Sequence, residues 1–320
     1  MTFPPDFLQR LQEIYQGEIL AGCLAALSSA SPTTFTLNSL KSKPEEVWTS
    51  MADLGLSAEP ISWYKNTYLM SAESKTVLTH SSVFNQGEVY VQNLSSLLPV
   101  WVLNPQSQDQ VLDLTASPGG KCFHMALMMA NQGRIAAVEV VKSRFFKLMA
   151  NLSRHGVQNV KFYHADGRRV GGKCPERFDK ILVDAPCSAD TRIQFNAPDT
   201  WRYWHPKKTL EMASKQKQLL LAAAQALKPR GEMVYCTCAY GPEENEAVVD
   251  WLLRRYPQHF EVNPVNLPIT NGLPGFAGWR NQQYHPGIKN AWRILANEQM
   301  RGFFLCKITK IRSLDDISAQ

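Results

Sequence analysis

The stretch Val111-Leu-Asp-Leu-Thr-Ala-Ser-Pro-Gly-Gly-Lys121 decides the fold that this sequence predicts. Its first four residues are mostly apolar and are typical of a short buried strand. The residues from Thr115 to Gly120 are small apart from one proline, so the backbone can turn tightly there and approach a ligand. The apolar run from Cys122 to Ala130 predicts a helix. Strand, glycine turn and helix N-terminus together indicate the first βα unit of a nucleotide-binding type of sheet, although glycine turns also occur in other α/β folds.

Strands and helices alternate along the rest of the chain. Further strands are predicted, each by a short apolar run, over residues 134–139, 160–166, 178–184, 232–238 and 302–308. Helices are predicted, by apolar residues at helical spacing, over residues 142–155, 209–227 and 245–256. This alternation predicts an α/β fold with a doubly wound, mostly parallel sheet of Rossmann-like type, whose ligand binds at the carboxyl ends of the strands.

The first part of the chain has a different pattern, which predicts a small α+β module over residues 1–75. Its predicted helices lie at 7–15 and 44–54, a second apolar stretch lies at 19–27, and its predicted strands lie at 34–41, 61–64 and 67–70. Residues 71–90 are interpreted as bridging structure. The predicted domains are therefore an N-terminal module at 1–75, a Rossmann-like domain at 76–312 and a tail at 313–320.

Composition bounds the class of protein. The chain has 320 residues and a formal net charge of +6, which is compatible with a nucleic-acid partner but common among unrelated proteins. No apolar run approaches the roughly 20 residues of a membrane span, and Met1-Thr-Phe-Pro-Pro-Asp6 does not resemble a signal peptide. The seven cysteines show no paired CxxC spacing of a zinc site. We therefore expect no membrane segment, no metal and a cytoplasmic protein with free thiols.

Three acidic residues end neighbouring predicted strands: Glu139, Asp166 and Asp184. An acid at the end of the second strand can accept hydrogen bonds from both ribose hydroxyls of a nucleoside cofactor, although a single such acid also serves as a helix cap. The glycine turn lacks the GxGxxG pattern, which argues against NAD. The pattern favours S-adenosylmethionine, which has no pyrophosphate to bind.

Two cysteine motifs, Asp184-Ala-Pro-Cys-Ser188 and Tyr235-Cys-Thr-Cys-Ala-Tyr240, follow strands that are neighbours in a doubly wound sheet. Cys187 taken alone is more typical of a structural cysteine that packs after a strand, and Cys236 is expected deeper in the strand than Cys238. Two thiols beside a carboxylate nevertheless meet a specific need. A thiolate that adds to carbon 6 of cytosine makes carbon 5 nucleophilic toward a sulfonium methyl group. The base must then leave its stack to reach these groups.

Together the motifs resemble the RNA cytosine-5 methyltransferases of the Nop/Sun family, and in particular their bacterial 16S ribosomal RNA branch. The resemblance rests on segments spread over nearly the whole chain: Asp113–Lys121, Glu139, Asp166-Gly-Arg168, Asp184–Ser188, and Thr237-Cys238 with Glu243-Glu-Asn-Glu246. Among cytosine-5 enzymes, the pair of cysteine motifs distinguishes this family from the DNA enzymes, whose nucleophile is the cysteine of the Pro-Cys motif.

The resemblance implies a role for each matching residue. Cys238 would be the nucleophile, Cys187 would help to release the methylated RNA, and Asp184 with Lys121 would orient and activate the cytosine. The N-terminal module would contact RNA, with ribosomal RNA favoured over transfer RNA, and we expect a monomer. S-adenosylmethionine would be held by residues at the sheet edge: Thr115, Ala116, Ser117, Pro118, Gly119, Gly120, Lys121, Glu139, Arg144, Asp166 and Asp184.

Two departures from the family pattern leave alternatives open. Thr115-Ala-Ser117 stands where the family has Cys-Ala-Ala or Ala-Ala-Ala, and Ser188-Ala-Asp-Thr191 stands where it has Ser-Gly-x-Gly. The second departure lies beside the expected target base. One alternative is therefore a non-catalytic RNA-binding or ribosome-assembly factor that keeps the fold. Another is an enzyme that uses Cys187 as its nucleophile, as DNA enzymes do.

Overall fold

The computed structural model describes residues 3–202 and 204–314. The helices in these residues are α1 Pro5–Ile14, α2 Gly17–Ser28, α3 Pro44–Asp53, α4 Ser74–His80, α5 Ser82–Asn85, α6 Leu98–Leu103, α7 Gly120–Met128, α8 Lys142–Arg154, α9 Val170–Lys173, α10 Pro206–Ala226 and α11 Glu246–Arg255. The strands are β1 Thr33–Leu37, β2 Glu59–Pro60, β3 Thr67–Met70, β4 Val89–Gln92, β5 Gln110–Asp113, β6 Arg134–Glu139, β7 Val160–His164, β8 Phe178–Asp184, β9 Leu227–Thr237, β10 Phe260–Val262, β11 Gly272–Pro274, β12 Gly278–Trp279, β13 Gln282–Gln283, β14 Trp292–Ile294 and β15 Phe303–Lys310.

The large sheet has the order β11-β14-β15-β9-β8-β5-β6-β7, and β10 also pairs with β15. Strands β5 to β9 run parallel to one another, whereas β10, β11, β14 and β15 join in antiparallel pairs. The predicted α/β sheet is confirmed, but the sheet is more mixed than expected. The chain order reverses between β5 and β8, and a crevice for ligands opens at the carboxyl ends of strands at such a point.

Helices cover both faces of this sheet because its central strands are apolar on both sides. Val111 and Leu182 pack into a core with α6, α7 and α8. Leu112 and Ile181, each one residue away along its strand, pack into the opposite core with α10 and α11. Successive side chains of a strand point to opposite faces, so a continuous apolar run predicts a strand that is buried on both faces. These two cores hold the carboxyl ends of β5, β6, β8 and β9 in fixed positions.

The N-terminal region forms a second, antiparallel sheet of order β2-β3-β1-β4, packed on α3. Its last strand lies at 89–92, beyond residue 75, where the sequence predicted that the module ends. Residues 71–90 contain α4, α5 and the start of β4 rather than a plain linker. The predicted strand at 61–64 is wrong, because Tyr64 closes a turn by donating its backbone N–H to the carbonyl oxygen of Ile61. Of the predicted tail at 313–320, residues 315–320 lie outside the described residues.

Helices α1 and α2 pack away from this small sheet. Their apolar residues, including Phe7 and Leu11, form a separate core with Ile193 and Tyr240. Ile193 lies beyond β8 and Tyr240 beyond β9, so the helical pair contacts the loops that follow the two cysteine-bearing strands. The N-terminal region therefore contributes to the support of these loops.

Candidate active site

The glycine turn between β5 and α7 depends on Gly119. Its φ angle is 109°, in the region that favours glycine, and it is the N-cap of α7. A Cβ atom at this position would lie 3.1 Å from Cδ1 of Leu148 and 3.3 Å from Cδ2 of Leu152, both on α8. The turn can therefore lie against α8 only with glycine at this position. Gly119 shapes the loop, although it is not among the residues that line the adjacent cavity.

The two unusual residues of this loop both form hydrogen bonds. The Thr115 hydroxyl donates to the carbonyl oxygen of Asp184 over 2.8 Å, which ties the loop to the end of β8. The Ser117 hydroxyl donates to the carbonyl oxygen of Arg144 over 2.9 Å, and the Arg144 guanidinium donates back to the Ser117 carbonyl oxygen, also over 2.9 Å. Both hydroxyls thus fix the loop against its neighbours, and the departure from the family pattern fits the fold.

A cavity of about 710 Å³ lies at the carboxyl ends of the parallel strands. Glu139 is buried at its wall, where it accepts the Val141 backbone N–H over 2.8 Å and lies 3.3 Å from Nε of Arg144. Most of the predicted cofactor residues line this cavity: Thr115, Ala116, Ser117, Pro118, Gly120, Lys121, Glu139, Arg144 and Asp184. A volume of this size accommodates a small-molecule ligand.

Asp166 is placed differently from the other predicted acids. Strand β7 ends at His164, two residues earlier than expected, and Asp166 caps the turn that follows. Its carboxylate accepts hydrogen bonds from the Arg168 side chain, which hold the pKa of Asp166 below its ordinary value. Asp166 does not line the cavity, so its predicted contact with the cofactor remains a prediction.

Asp113, to which the sequence assigned no role of its own, does line the cavity. It ends β5, is buried, and neither carboxylate oxygen has a hydrogen-bond partner among the described residues. Burial raises its pKa to about 7, and the negative charge of Asp184 adds to the effect while Lys121 opposes it. A buried acid without a partner is costly unless a ligand satisfies it. In the sequence, its only signal was a charge at the end of an apolar strand.

Lys121 and Asp184 form an ion pair at the floor of the cavity, with 2.7 Å between Nζ and Oδ2. Burial lowers the pKa of Lys121, but the Asp184 carboxylate and the hydrogen bond to it outweigh burial, and the net effect raises the pKa. Cys236 is buried behind the pair, with its sulfur 3.6 Å from Oδ1 of Asp184. The carboxylate is thus fixed by a charged partner and points one face into the cavity.

The two predicted catalytic cysteines lie side by side, with 3.2 Å between the sulfur atoms of Cys187 and Cys238. Strands β8 and β9 pair in parallel with Asp184 opposite Cys236, so the residues just beyond both strand ends meet at one edge. Both cysteines also line the cavity, together with Asp184 and Lys121. The four residues to which the sequence assigned catalytic roles are therefore brought together.

The surroundings of the two sulfurs differ and shift the pKa values of the two thiols in opposite directions. The hydrogen bond from Cys187 lowers the pKa of Cys238; burial opposes this, and the Arg192 guanidinium lowers the pKa further. The same hydrogen bond and burial raise the pKa of Cys187 well above its ordinary value, and the Glu244 carboxylate adds to this effect. These directions favour the thiolate on Cys238 and the proton on Cys187.

The segment Ser188-Ala-Asp-Thr191, the second departure from the family pattern, connects the two cysteine loops. The Thr191 hydroxyl donates to the carbonyl oxygen of Cys238 over 3.0 Å, and Asp190 accepts the Tyr240 backbone N–H over 2.7 Å. Ala189 takes the positive φ of 58° at a position where the family has glycine. Thr191, which replaces a family glycine, and Asp190 beside it thus hold the loop that follows β8 against the loop that follows β9.

Glu244 forms a second connection that sequence reasoning missed. It is buried, accepts the Ser188 backbone N–H over 2.8 Å and the Ser188 hydroxyl over 2.5 Å, and also accepts from the Gln216 side chain. The motif from Glu243 to Glu246 was visible in the sequence, but Ser188 and Glu244 are far apart along the chain. The pairing of β8 with β9 brings Ser188 and Glu244 together. The hydrogen bonds between them hold the residue next to Cys187 and so help to fix its position.

In residues 3–202 and 204–314, His, Cys, Asp and Glu form no cluster of three or more that is arranged to hold a metal ion. Within the same part of the chain, no helix combines the length and apolar character needed to cross a membrane.

Comparison with known proteins identifies the relatives of this chain. It is 32% identical over 323 residues to ribosomal RNA small subunit methyltransferase F of Klebsiella pneumoniae, and 36% identical over 322 residues to the protein of that name from Escherichia fergusonii. Each alignment covers 99% of this chain and 65% of the relative. The chain thus spans just under two thirds of the length of these curated relatives.

Solved structures show the same fold. A methyltransferase homolog protein from Pyrococcus horikoshii is 29% identical, with a TM-score of 0.76 over 96% of this chain and 100% of that one. NSun6 from the same organism has a TM-score of 0.80 at 20% identity, over 97% of this chain and 99% of that one, a likeness of fold alone.

The family assignment rests on two matched regions that together cover most of the chain. Residues 3–94 match the N-terminal domain of 16S rRNA methyltransferase RsmF, a region that includes the small antiparallel sheet and its strand β4. Residues 100–309 match 16S rRNA methyltransferase RsmB/F and contain the large sheet with both cysteine motifs. The Rossmann-like fold and the small N-terminal α+β domain expected from the sequence are those of this family. The chain belongs to the RsmB/F family of 16S rRNA methyltransferases.

Proposed function

We propose that this protein transfers a methyl group from S-adenosylmethionine to carbon 5 of a cytosine in RNA. The observation that carries the proposal is the pair of sulfurs 3.2 Å apart beside the Lys121–Asp184 ion pair, with all four residues lining one ligand-sized cavity. Ribosomal RNA of the small subunit is the favoured substrate, because the similar proteins are named for it.

The cavity fits S-adenosylmethionine, which when bound supplies an electrophilic methyl group on a cationic sulfur. Glu139 offers a buried carboxylate to ribose hydroxyls, and Asp113 offers a second one that has no protein partner among the described residues. Val140 and Val141 line the cavity with exposed apolar surface, which suits a purine ring.

Cys238 performs the first chemical step. Its thiolate forms a bond from sulfur to carbon 6 of the cytosine, and the electron pair of the 5,6 double bond moves onto carbon 5 and the ring. Asp184, held by Lys121 at 2.7 Å, accepts hydrogen bonds from the polar edge of the base and keeps it in the cavity. Carbon 5 then takes the methyl group, whose bond to the cofactor sulfur breaks and leaves its electron pair on that sulfur, so that the adduct is neutral.

Cys187 performs the release. Once the sulfur of Cys238 is bonded to carbon, it no longer carries the negative charge that disfavours ionisation of Cys187, so Cys187 can lose its proton to solvent. The Cys187 thiolate removes the proton from carbon 5, and the electrons of that bond restore the 5,6 double bond. The bond between carbon 6 and the sulfur breaks, and its electron pair returns to Cys238. One proton is released per methyl group transferred.

Bisulfite sequencing of ribosomal and transfer RNA from cells with and without the gene tests the proposal. We expect one 5-methylcytosine in 16S ribosomal RNA to disappear, to return with the unaltered gene, and to stay absent with Cys238→Ala. Methylation by Cys238→Ala at the normal level would contradict the assignment of the nucleophile and favour Cys187. An unchanged pattern of 5-methylcytosine in all RNA, from a protein that still binds the cofactor, would favour the non-catalytic alternative.

A further inference from the structure

We infer that a groove between the N-terminal module and the large sheet binds the phosphodiester backbone of single-stranded RNA next to the target nucleotide, through Arg301, Arg192 and Lys75. The inference rests on the proposed function for the identity of the target, but the groove itself is defined by its own shape and charge. It is separate from the cavity assigned to the cofactor and takes a different class of ligand, a polyanion.

The groove begins at the nucleophile. It has a volume of about 390 Å³ and shares Cys238, Arg192 and Gln92 with the cofactor cavity, so the two spaces meet at the reactive sulfur. From there it runs away from the cofactor and between two structural units. Its other walls come from both of them: Ser31, Pro32, Thr33, Ala72, Lys75, Asn93 and Ser95 on the N-terminal side, and Thr191, Arg301, Gly302 and Phe303 on the sheet side.

Cations line the groove, and no carboxylate among the described residues lines it. The cations are Arg192, Arg301 and Lys75. None of the three cations has a carboxylate within 4.0 Å among the described residues. Arg301 is only half exposed, and its Nη1 lies 3.4 Å from the carbonyl oxygen of Arg192, so the two arginines are adjacent.

The two adjacent arginines repel each other. Burial lowers the pKa of Arg301 and the positive charge of Arg192 lowers it further, while negative charge on Cys238 opposes both effects. An anion placed between the two guanidinium groups would remove this repulsion and accept several charge-assisted hydrogen bonds. The remaining wall is rich in serine, threonine, asparagine and glutamine, which bond to sugar and phosphate oxygens without selecting a base.

The position of the groove decides which anion fits. A cytosine whose carbon 6 contacts Cys238 must be splayed out of its stack, and its ribose and flanking phosphates then have to leave the site through an opening. The groove is such an opening and is positive along its length, with Arg192 and Arg301 near the sulfur and Lys75 on α4 of the N-terminal module. A single strand of RNA therefore matches the positive charge of the groove and can run from the groove into the active site.

Fluorescence anisotropy with a labelled single-stranded RNA of about 12 nucleotides tests the groove, without cofactor, as KCl is raised from about 50 to 200 mM. We expect Arg301→Gln to weaken binding about tenfold at the lowest salt and to reduce the slope of log Kd against log salt by about 0.7, the loss of one phosphate contact. Lys75→Gln, on an exposed helix face where folding is not at risk, should reduce the slope in the same way.

Arg177→Gln is the matched control, because Arg177 is exposed at the amino end of β8, at the opposite edge of the sheet from the cysteines. The inference would be overturned if Arg301→Gln and Lys75→Gln had the same Kd and the same salt slope as Arg177→Gln. This measurement requires no methyl transfer. Weaker RNA binding by the two groove variants, in a protein that does not methylate RNA, would support the groove as an RNA-binding site and contradict only the proposed reaction. Methylation with unchanged RNA binding in both groove variants would contradict only the groove.

Discussion

Replacement of Cys187 by alanine should separate the two halves of the proposed reaction. The sulfur of Cys187 lies 3.2 Å from that of Cys238, so it lies close to where the ring bonded to the nucleophile would be. Removal of the thiol leaves Cys238, the Lys121–Asp184 pair and the cavity in place. The addition to carbon 6 and the methylation of carbon 5 should therefore still occur. The proton on carbon 5 then lacks its base, so the methylated RNA should stay covalently attached to Cys238.

The size of the effect follows from the lost proton transfer. A positioned general base contributes roughly 10²–10⁴ in rate, which corresponds to about 3–5 kcal/mol of barrier. Steady-state turnover by Cys187→Ala should fall by that factor. A rapid burst of methyl transfer, equal at most to the enzyme concentration, should come first. Tritiated S-adenosylmethionine measures the burst, and a denaturing gel shows the covalent protein–RNA species.

The first step should also slow in this variant, since Cys187 no longer donates to the sulfur of Cys238 and the pKa of Cys238 rises toward its ordinary value. Raising the pH should restore the burst rate but not the turnover. Cys187→Ser, which keeps a donor of similar size, serves as the matched variant and should recover the burst at neutral pH. Wild-type turnover by Cys187→Ala without an adduct, or an adduct in Cys238→Ala, would refute the division of roles.

Two further predictions concern the neighbours of the cysteines and the cofactor. Arg192→Gln removes a positive charge that lowers the pKa of the Cys238 thiol. Because the thiolate is the reactive form, the acidic limb of the pH profile of kcat/KM should move to higher pH. Above the Cys238 pKa of both the wild type and the variant, the two rates should approach each other. An unmoved limb would contradict this assignment. Glu139→Ala should weaken S-adenosylmethionine binding roughly 10- to 100-fold in calorimetry, because charged hydrogen bonds to the ribose are lost. Glu261 is exposed, so the control variant Glu261→Ala should bind the cofactor normally. Equal affinities in the two variants would exclude Glu139 from the cofactor site.

Local sequence was sufficient for the elements that carry the site. The run from Val111 to Lys121 predicted a strand, a turn and a helix, and the structure has β5 at Gln110–Asp113 and α7 from Gly120. The alternation of apolar runs predicted parallel strands, and the identity of the residues at their carboxyl ends predicted which side chains would meet. These inferences succeed because parallel strands buried on both faces carry a continuous apolar signal and end at one common edge.

Other features depended on contacts that no local pattern encodes. Strands β10, β11 and β14 have three residues each, too few to show a period, and they pair only because β15 or its neighbour offers a free edge. Asp166 looked equivalent to Glu139 and Asp184 in the sequence, yet β7 ends early and Arg168 binds its carboxylate. Asp113 went unassigned because the loss of all its hydrogen-bond partners is a property of the folded surroundings.

The contrast between local pattern and folded contacts also applies to the loop Ser188-Ala-Asp-Thr191, which departs from the family pattern. In the sequence, Ser188-Ala-Asp-Thr191 suggested a disturbed site, because small flexible residues are missing beside the expected base. In the structure, Thr191 and Asp190 bond to the segment that carries Cys238, while Ser188 bonds to Glu244 beyond it. Three connections across the two loops hold the sulfurs at one separation, and a proton shared between two thiols requires a fixed separation. Thr191, which stands where the family has glycine, therefore adds a connection at a point where the chemistry depends on distance, and the departure is compatible with catalysis.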